Sequence, residues 1–477
     1  MVTTDQFGHY QADTRPLAHD TAAIRHLSKV VWLYLIVVMT PLFFTLGPLT
    51  MTPLRSVLLV MVPILLVRLL SGKLGQIFAT DIFFILHLAW GAVALVVNNP
   101  DQVVQQIGSV GIEFIGGYLV GRGYIRTRAD FIALCKAVGL LVAFMLPFAI
   151  YETLTGNPII ITTLNKLPGL RAVGNVAAEK RMGLERAQGV FTNPIHFGLF
   201  CSSAFSLTLV ALKNVLPTPR RLAIGVAVAG CVFFSLSSGA LLPIIMQSFL
   251  IIWAASFCKI KFDRPWTVLL ILCAIFYVVI DMLSNRTPLE VFFSYATFSS
   301  HNAYWRGIIF QWGMKSVWTY PWTGIGLNDW ERPWFMYSGS MDNFWLVMAV
   351  RYGIPGFVLL AWGYFLGVWG VARRRFAADP ALSQLRQAWM FTIVGLTFTL
   401  CTVHIWTSVY SFVFFVFGSG IWFIRAELNY PTASLDEGMP ERSGSSDFNR
   451  IAEQGITQQP DRTPKFSRFP TRSRTAG

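Results

Sequence analysis

Three stretches of the chain place charged side chains beside residues that break or start helices. In residues 185–198, ERAQGVFTNPIHFG, Arg186 stands just before an apolar run whose helical start is set by Asn193-Pro194. Between Tyr304 and Trp318, apolar residues recur at helical spacing with Arg306 and Lys315 among them, which predicts an amphipathic helix near a membrane surface. In residues 341–356, MDNFWLVMAVRYGIPG, Asp342-Asn343 open an apolar run that carries Arg351 and breaks at Gly353-Ile354-Pro355-Gly356. A guanidinium keeps its charge and pairs bidentately with phosphate oxygens, so Arg186 is a candidate anion ligand. An Arg inside an apolar span is costly unless partnered, which makes Arg351 a second candidate. Structural alternatives stay open: a snorkelling Arg186 that anchors a helix end, Asp342 as a helix cap, and the glycine-proline break as a packing kink.

The elements that must position these residues are membrane helices. The 477 residues are 54% hydrophobic and 13% charged, with a mean hydropathy of +0.54, the composition of an all-α polytopic membrane protein. About twelve spans are expected, near 30–48, 54–71, 77–97, 107–121, 131–151, 195–212, 222–238, 240–257, 266–283, 344–372, 388–404 and 406–424. The first has a polar lead, contains Pro41 and lacks a small-residue cleavage site, so it is expected to be retained. Lys and Arg recur in alternate connections, at Arg68/Lys73, Arg122/Arg126/Arg128, Lys213/Arg220/Arg221, Lys259/Lys261/Arg264 and Arg373/Arg374/Arg375/Arg386. By the positive-inside rule both termini are cytoplasmic. The formal charge of +14 is thus dispersed among the helices, which argues against a nucleic-acid partner.

That topology leaves two long outer segments, 152–194 and 284–342, and long loops in compact proteins are usually functional. The first carries Lys166, Arg171, Lys180, Arg181 and Arg186 on the face where positive charge is disfavoured. The expected organisation is a cytoplasmic segment at 1–29, a membrane domain at 30–428 and a disordered cytoplasmic tail at 429–477. The six cysteines lie in or beside apolar runs with no CxxC pair, and are read as small core residues. Asp81, Glu113 and Asp281 lie within apolar spans, the pattern of ion-coupled transport, and so keep a proton-coupled transporter in view.

The order and sidedness of these stretches resemble the O-antigen ligase and Wzy-type polysaccharide polymerase superfamily of bacterial membrane proteins, over about residues 180–360. Arg186, Gly189 and Phe191 match its Arg-x-x-Gly-x-Phe-like stretch. Arg306, Pro321, Gly324 and Gly326 match its second outer segment, and Asn343, Gly353 and Gly356 fit the ligase motif. Asp342 stands where the ligases carry His, a departure that tilts the resemblance toward a polymerase.

The resemblance implies a GT-C-type glycosyltransferase of the bacterial inner membrane, with its active face in the periplasm. It would polymerise undecaprenyl-pyrophosphate-linked oligosaccharide repeat units for exopolysaccharide or O-antigen; the alternative is ligation of polymer to lipid A core or another acceptor. Its partners would be the lipid-linked glycan, the growing polysaccharide, membrane lipid, a chain-length regulator and export machinery. Arg186 and Arg306 would neutralise the diphosphate leaving group without metal or cofactor, and Asp342 would take the acceptor proton or orient the acceptor. His301 is a second candidate base, or an ordinary interfacial residue; Asn343, Arg351 and Arg332 are expected substrate contacts. Trp305, Trp318, Trp322, Trp330 and Trp334 are available for sugar stacking or for an interfacial belt.

Overall fold

Capping residues fix where the apolar runs become helices. In the computed structural model, which describes residues 27–47, 49–176, 179–260, 265–284, 291 and 300–426, Ser28 accepts from the Val30 amide ahead of α1 (Lys29–Val38). Thr52 caps α2 (Pro53–Leu70), whose Pro53 sits in the first turn, where its missing N–H costs nothing. The chain continues as α3 (Ala79–Asn98), a π turn (Ile107–Gly111) leading into α4 (Ile112–Tyr124), α5 (Arg128–Thr155), the short α6 (Ile159–Asn165) and α7 (Pro194–Leu209). Then follow α8 (Thr218–Phe234), α9 (Ser238–Ile260), α10 (Pro265–Leu283), α11 (Ser300–Thr319), α12 (Phe344–Ala372), α13 (Pro380–Leu400) and α14 (Thr407–Gly418).

Each of the twelve apolar stretches contains helix, but they are not equal. Among the described residues, eight helices are long and apolar enough to cross a membrane, and α1 and α7 are shorter apolar helices. α10 shows what surrounds them: none of its described residues is buried in the protein, and Leu270, Met282 and Leu283 are 71%, 79% and 83% exposed. So apolar a surface has lipid as its natural solvent.

Two expectations are corrected. The helix expected over 30–48 ends at Val38, because the chain turns at Pro41 into β1 (Leu42–Leu46), which pairs antiparallel with β2 (Leu49–Met51). β1 also pairs with β3 (Arg171–Ala172), so the all-α architecture carries a small sheet in the order β2-β1-β3. This sheet ties segment 152–194 to the end of α1, with the Val173 amide bonded to the Pro41 carbonyl at 2.9 Å. The 429–477 tail, the 1–26 lead and the Cys258 side chain lie outside the described residues.

The core is packed by aromatic rings and by glycines that let backbones approach. Phe84 meets Phe114, Tyr118, Phe414 and Phe417. A Cβ at Gly117 or Gly121 would collide with the carbonyl oxygens of Ser411 or Phe415, so α4 and α14 pack at backbone contact. Two ion pairs lie within this body: Arg55 with Glu113 at 2.8 Å and Arg122 with Asp81 at 3.1 Å. Asp81 also accepts from Tyr118 and from the Phe78 amide, and Asp281 is exposed at the end of α10.

Candidate active site

The break in α12 is a docking site for the turn that follows α11. Gly353 adopts φ 71° and ψ 179°, which opens the helix ladder and frees backbone groups. The PWTGIG turn takes them up: the Ile325 and Gly326 amides donate to the carbonyls of Val350 and Arg351 at 2.9 and 3.0 Å, and Ile354 donates to Pro321 at 2.7 Å. α3 completes the exchange, with Trp90 Nε1 donating to the Tyr352 carbonyl at 3.0 Å and His87 Nδ1 bonded to the Gly356 carbonyl at 2.8 Å. A Cβ at Gly353 would strike the Trp322 carbonyl oxygen, and one at Gly324 that of Val350. The Gly-x-Gly segment is thus a backbone contact that sets the position of α11, and with it Arg306, against the mouth of α12.

Segment 152–194 is positioned by a carboxylate. Glu152, at the end of α5, accepts from the Gln188 and Gly189 amides at 2.8 and 2.9 Å. Gln188 in turn donates to Gly174 and Phe191, which closes the turn carrying Arg186. Arg186 Nε donates to the Ser235 carbonyl at 3.4 Å and Arg181 Nη1 to the Leu236 carbonyl at 2.8 Å, which fixes both cations on the short link between α8 and α9.

These segments converge on one cleft of about 460 Å³. Arg181, Arg186, Arg306 and Asp342 line it, together with Glu179, Ser237, Ser238, Trp305, Phe335, Tyr337 and Ser340. Three guanidiniums against two carboxylates leave the lining net positive. Arg186 is pushed down to about 10 by burial and by the charge of Arg181, far enough above neutrality to stay cationic. Burial lowers Arg306, Asp342 pushes it back up, and Arg181 lowers it again. Arg306 Nη1 is buried without a hydrogen-bond partner, and no ion pair joins Arg306 to Asp342. Such a set of like charges is costly to assemble without an anion between them.

Asp342 is not the helix cap. Asn343 caps α12 by accepting from the Leu346 amide at 3.1 Å, which leaves the Asp342 carboxylate facing the cleft, where Ser340 Oγ donates to it at 3.1 Å. Arg332 is engaged elsewhere, with Asp329 at 2.5 Å and the Met336 carbonyl at 3.1 Å, and so shapes the wall that carries Phe335 and Tyr337. Arg351 faces a different cavity, beside His404 and Tyr410. The His301 side chain lies outside the described residues.

Arg181 and Glu152 are the cleft-forming residues that the sequence reading did not single out. Arg181 belonged to the misplaced basic run, which was the available signal; Glu152 offered only a carboxylate at the end of an apolar span.

Fold and cleft together define an integral membrane protein with a basic, carboxylate-bearing cleft on one side of its helices. Residues 223–361 match the family model described as O-antigen ligase, which supports a likeness over that stretch to the O-antigen ligase and Wzy-type superfamily of glycosyltransferase-like enzymes. No curated protein matches the chain. The matched stretch contains Arg306, Asp342, Asn343 and the docked glycine turn, whereas Arg181 and Arg186 join the cleft from outside it.

Proposed function

We propose that the protein is a membrane polymerase that joins undecaprenyl-pyrophosphate-linked oligosaccharide repeat units at the periplasmic face, in exopolysaccharide or O-antigen synthesis, with about twelve crossings and both termini in the cytoplasm. The convergence of Arg186, Arg306 and Asp342, from segments far apart in sequence, on one cleft carries this reading. The acceptor hydroxyl attacks the anomeric carbon of the donor sugar; the new glycosidic C–O bond forms as the bond to the diphosphate oxygen breaks. Arg186 and Arg306 neutralise the charge that grows on the leaving diphosphate, a role that needs cations already in place. The hydroxyl proton passes to Asp342, which Ser340 holds in orientation. The guanidiniums supply the charge for this step, so the reaction is expected to proceed in the presence of a chelator.

The description of the matched family favours one second reading, ligation of finished polymer to lipid A core or another acceptor. Transport is not favoured: of the carboxylates that suggested it, Asp81 and Glu113 are ion-paired and Asp281 is exposed at the end of α10. The test is an assay on purified protein with the lipid-linked repeat unit alone and with added lipid A core. Polymerisation gives a ladder of lengths without the core acceptor; a single transfer that appears only with the core would overturn it in favour of ligation.

A further inference from the structure

Arg351 lies within the long apolar helix α12 and differs from three arginines of other helices. Arg55, Arg122 and Arg128 each hold a carboxylate, at 2.8, 3.1 and 2.5 Å from Glu113, Asp81 and Asp379. Arg351 has no carboxylate partner among the described residues, and Glu113, whose charge also reaches Tyr410, is committed to Arg55. Its side chain faces a cavity lined by Gln106, His87, Tyr410, His404 and Trp406, with Ile107, Val110 and Met348 as apolar wall. This lining shares no residue with the three-arginine cleft.

The backbone around the cavity is irregular on two sides. The π turn Ile107–Gly111 borders it from one, and Thr407, a β-branched residue at φ 54°, from another. Irregular backbone within a membrane protein is tolerated where it lines a cavity, and π turns in helices often mark functional sites. His404, outside the spanning helices, is lowered to about 3 by burial, by the charge of Arg351 and by His196, so it stays neutral and leaves the guanidinium as the cation of the site.

Size and charge narrow the ligand. The cavity has a volume of about 50 Å³, enough for a few waters or one phosphate group and too little for a sugar. One cation suits about one negative charge, whereas the three arginines of the cleft suit a diphosphate. The cavity takes the phosphate group alone, and the acyl chains of a lipid would lie outside it in the bilayer. A phosphodiester with acyl chains is the chemistry of a bilayer glycerophospholipid.

We propose that Arg351, with Gln106 and Tyr410, forms a binding site for the phosphodiester of a membrane glycerophospholipid, separate from the catalytic cleft. The bound lipid supplies the anion that Arg351 lacks within the protein. The site stands independently of the polymerase reading, since it requires only a helical body in lipid.

The test is native mass spectrometry of the purified full-length protein after delipidation, with phosphatidylglycerol added back. Wild-type protein is expected to retain one phosphatidylglycerol molecule, Arg351→Gln to bind it about tenfold or more weakly, and Arg351→Lys to keep part of the binding. Arg306→Ala is expected to retain the lipid, which separates this site from the cleft. Equal retention by wild type and Arg351→Gln, both eluting as folded protein, would overturn the proposal. Displacement by millimolar inorganic phosphate would overturn it in favour of a free-anion site, and occupation by undecaprenyl diphosphate but not phosphatidylglycerol in favour of a second carrier-lipid site.

Discussion

The helical body and the cleft treat charge in opposite ways. Inside the body, Arg122 and Asp81 have side chains only 4% and 0% exposed and lie 3.1 Å apart, with Tyr118 and the Phe78 amide completing the shell of the carboxylate. In the cleft, Arg181, Arg186 and Arg306 repel one another around an open volume, and an Arg306 nitrogen is left without a partner. A satisfied pair is a structural solution to burial; convergent, unsatisfied like charges are stable only when something else supplies the counter-charge. Asp81 and Glu113, intramembrane carboxylates that look functional in the sequence, are ion-paired, and the proposed site lies where pairing is withheld.

Substitutions on the two sides should separate in kind. Arg306→Ala and Arg186→Ala are expected to lower polymer formation by roughly 10²–10³-fold, the cost of removing one preorganised donor from a developing charge, while the protein reaches the membrane in normal amount. Quantified polymer and immunoblot from the same membranes check this, and normal polymer in either variant would erase the contrast. Asp81→Asn should do the reverse. Breaking a buried pair costs about 3–5 kcal/mol of stability, so the midpoint of thermal unfolding in detergent falls sharply while turnover per folded molecule holds.

Smaller effects probe the link between the regions. Gly353→Ala forces a left-handed backbone on a residue with a Cβ and pushes it into the Trp322 carbonyl. A loss of about 2 kcal/mol with a fall in activity is expected, because the turn that sets α11 is displaced; unchanged unfolding would mean the turn is not held by the break. Asn343→Ala removes the α12 cap and should cost about 1 kcal/mol with little change in turnover, in contrast to its neighbour Asp342. The smallest effect is on acid stability. His404 takes a proton in the unfolded chain near its ordinary pKa but in the folded protein only near 3, so the unfolded state binds more protons between those values. Its contribution is complete above about 6.5 and is lost as pH falls toward 3; His404→Asn should flatten that part of the stability profile.

Much of this was legible in the sequence, for a physical reason: in lipid, backbone bonds must be made locally, so apolar runs announce helices. Arg186, Arg306 and Asp342 were also legible, because charge at the end of an apolar run needs an explanation. What the sequence hid depends on contacts between distant segments. The β1–β3 pairing joins Leu42 to Ala172, and nothing local in residues 42–46 marks it as sheet. Glu152 reads as one more carboxylate in an apolar span until its bonds to the Gln188 and Gly189 amides are seen. Arg351 lies nine residues beyond Asp342, inside the helix that Asp342 precedes, yet the helix turns it into a different cavity.

The most direct test of the central claim is polymerisation by purified protein, with lipid-pyrophosphate-linked repeat units and a chelator present, comparing wild type with Asp342→Asn. The variant keeps the shape of the side chain but cannot accept the proton. A ladder of products from the wild type, reduced roughly 10²–10⁴-fold in rate by the substitution, is the predicted result. A ladder of equal intensity from both proteins would contradict the account and place the proton acceptor elsewhere.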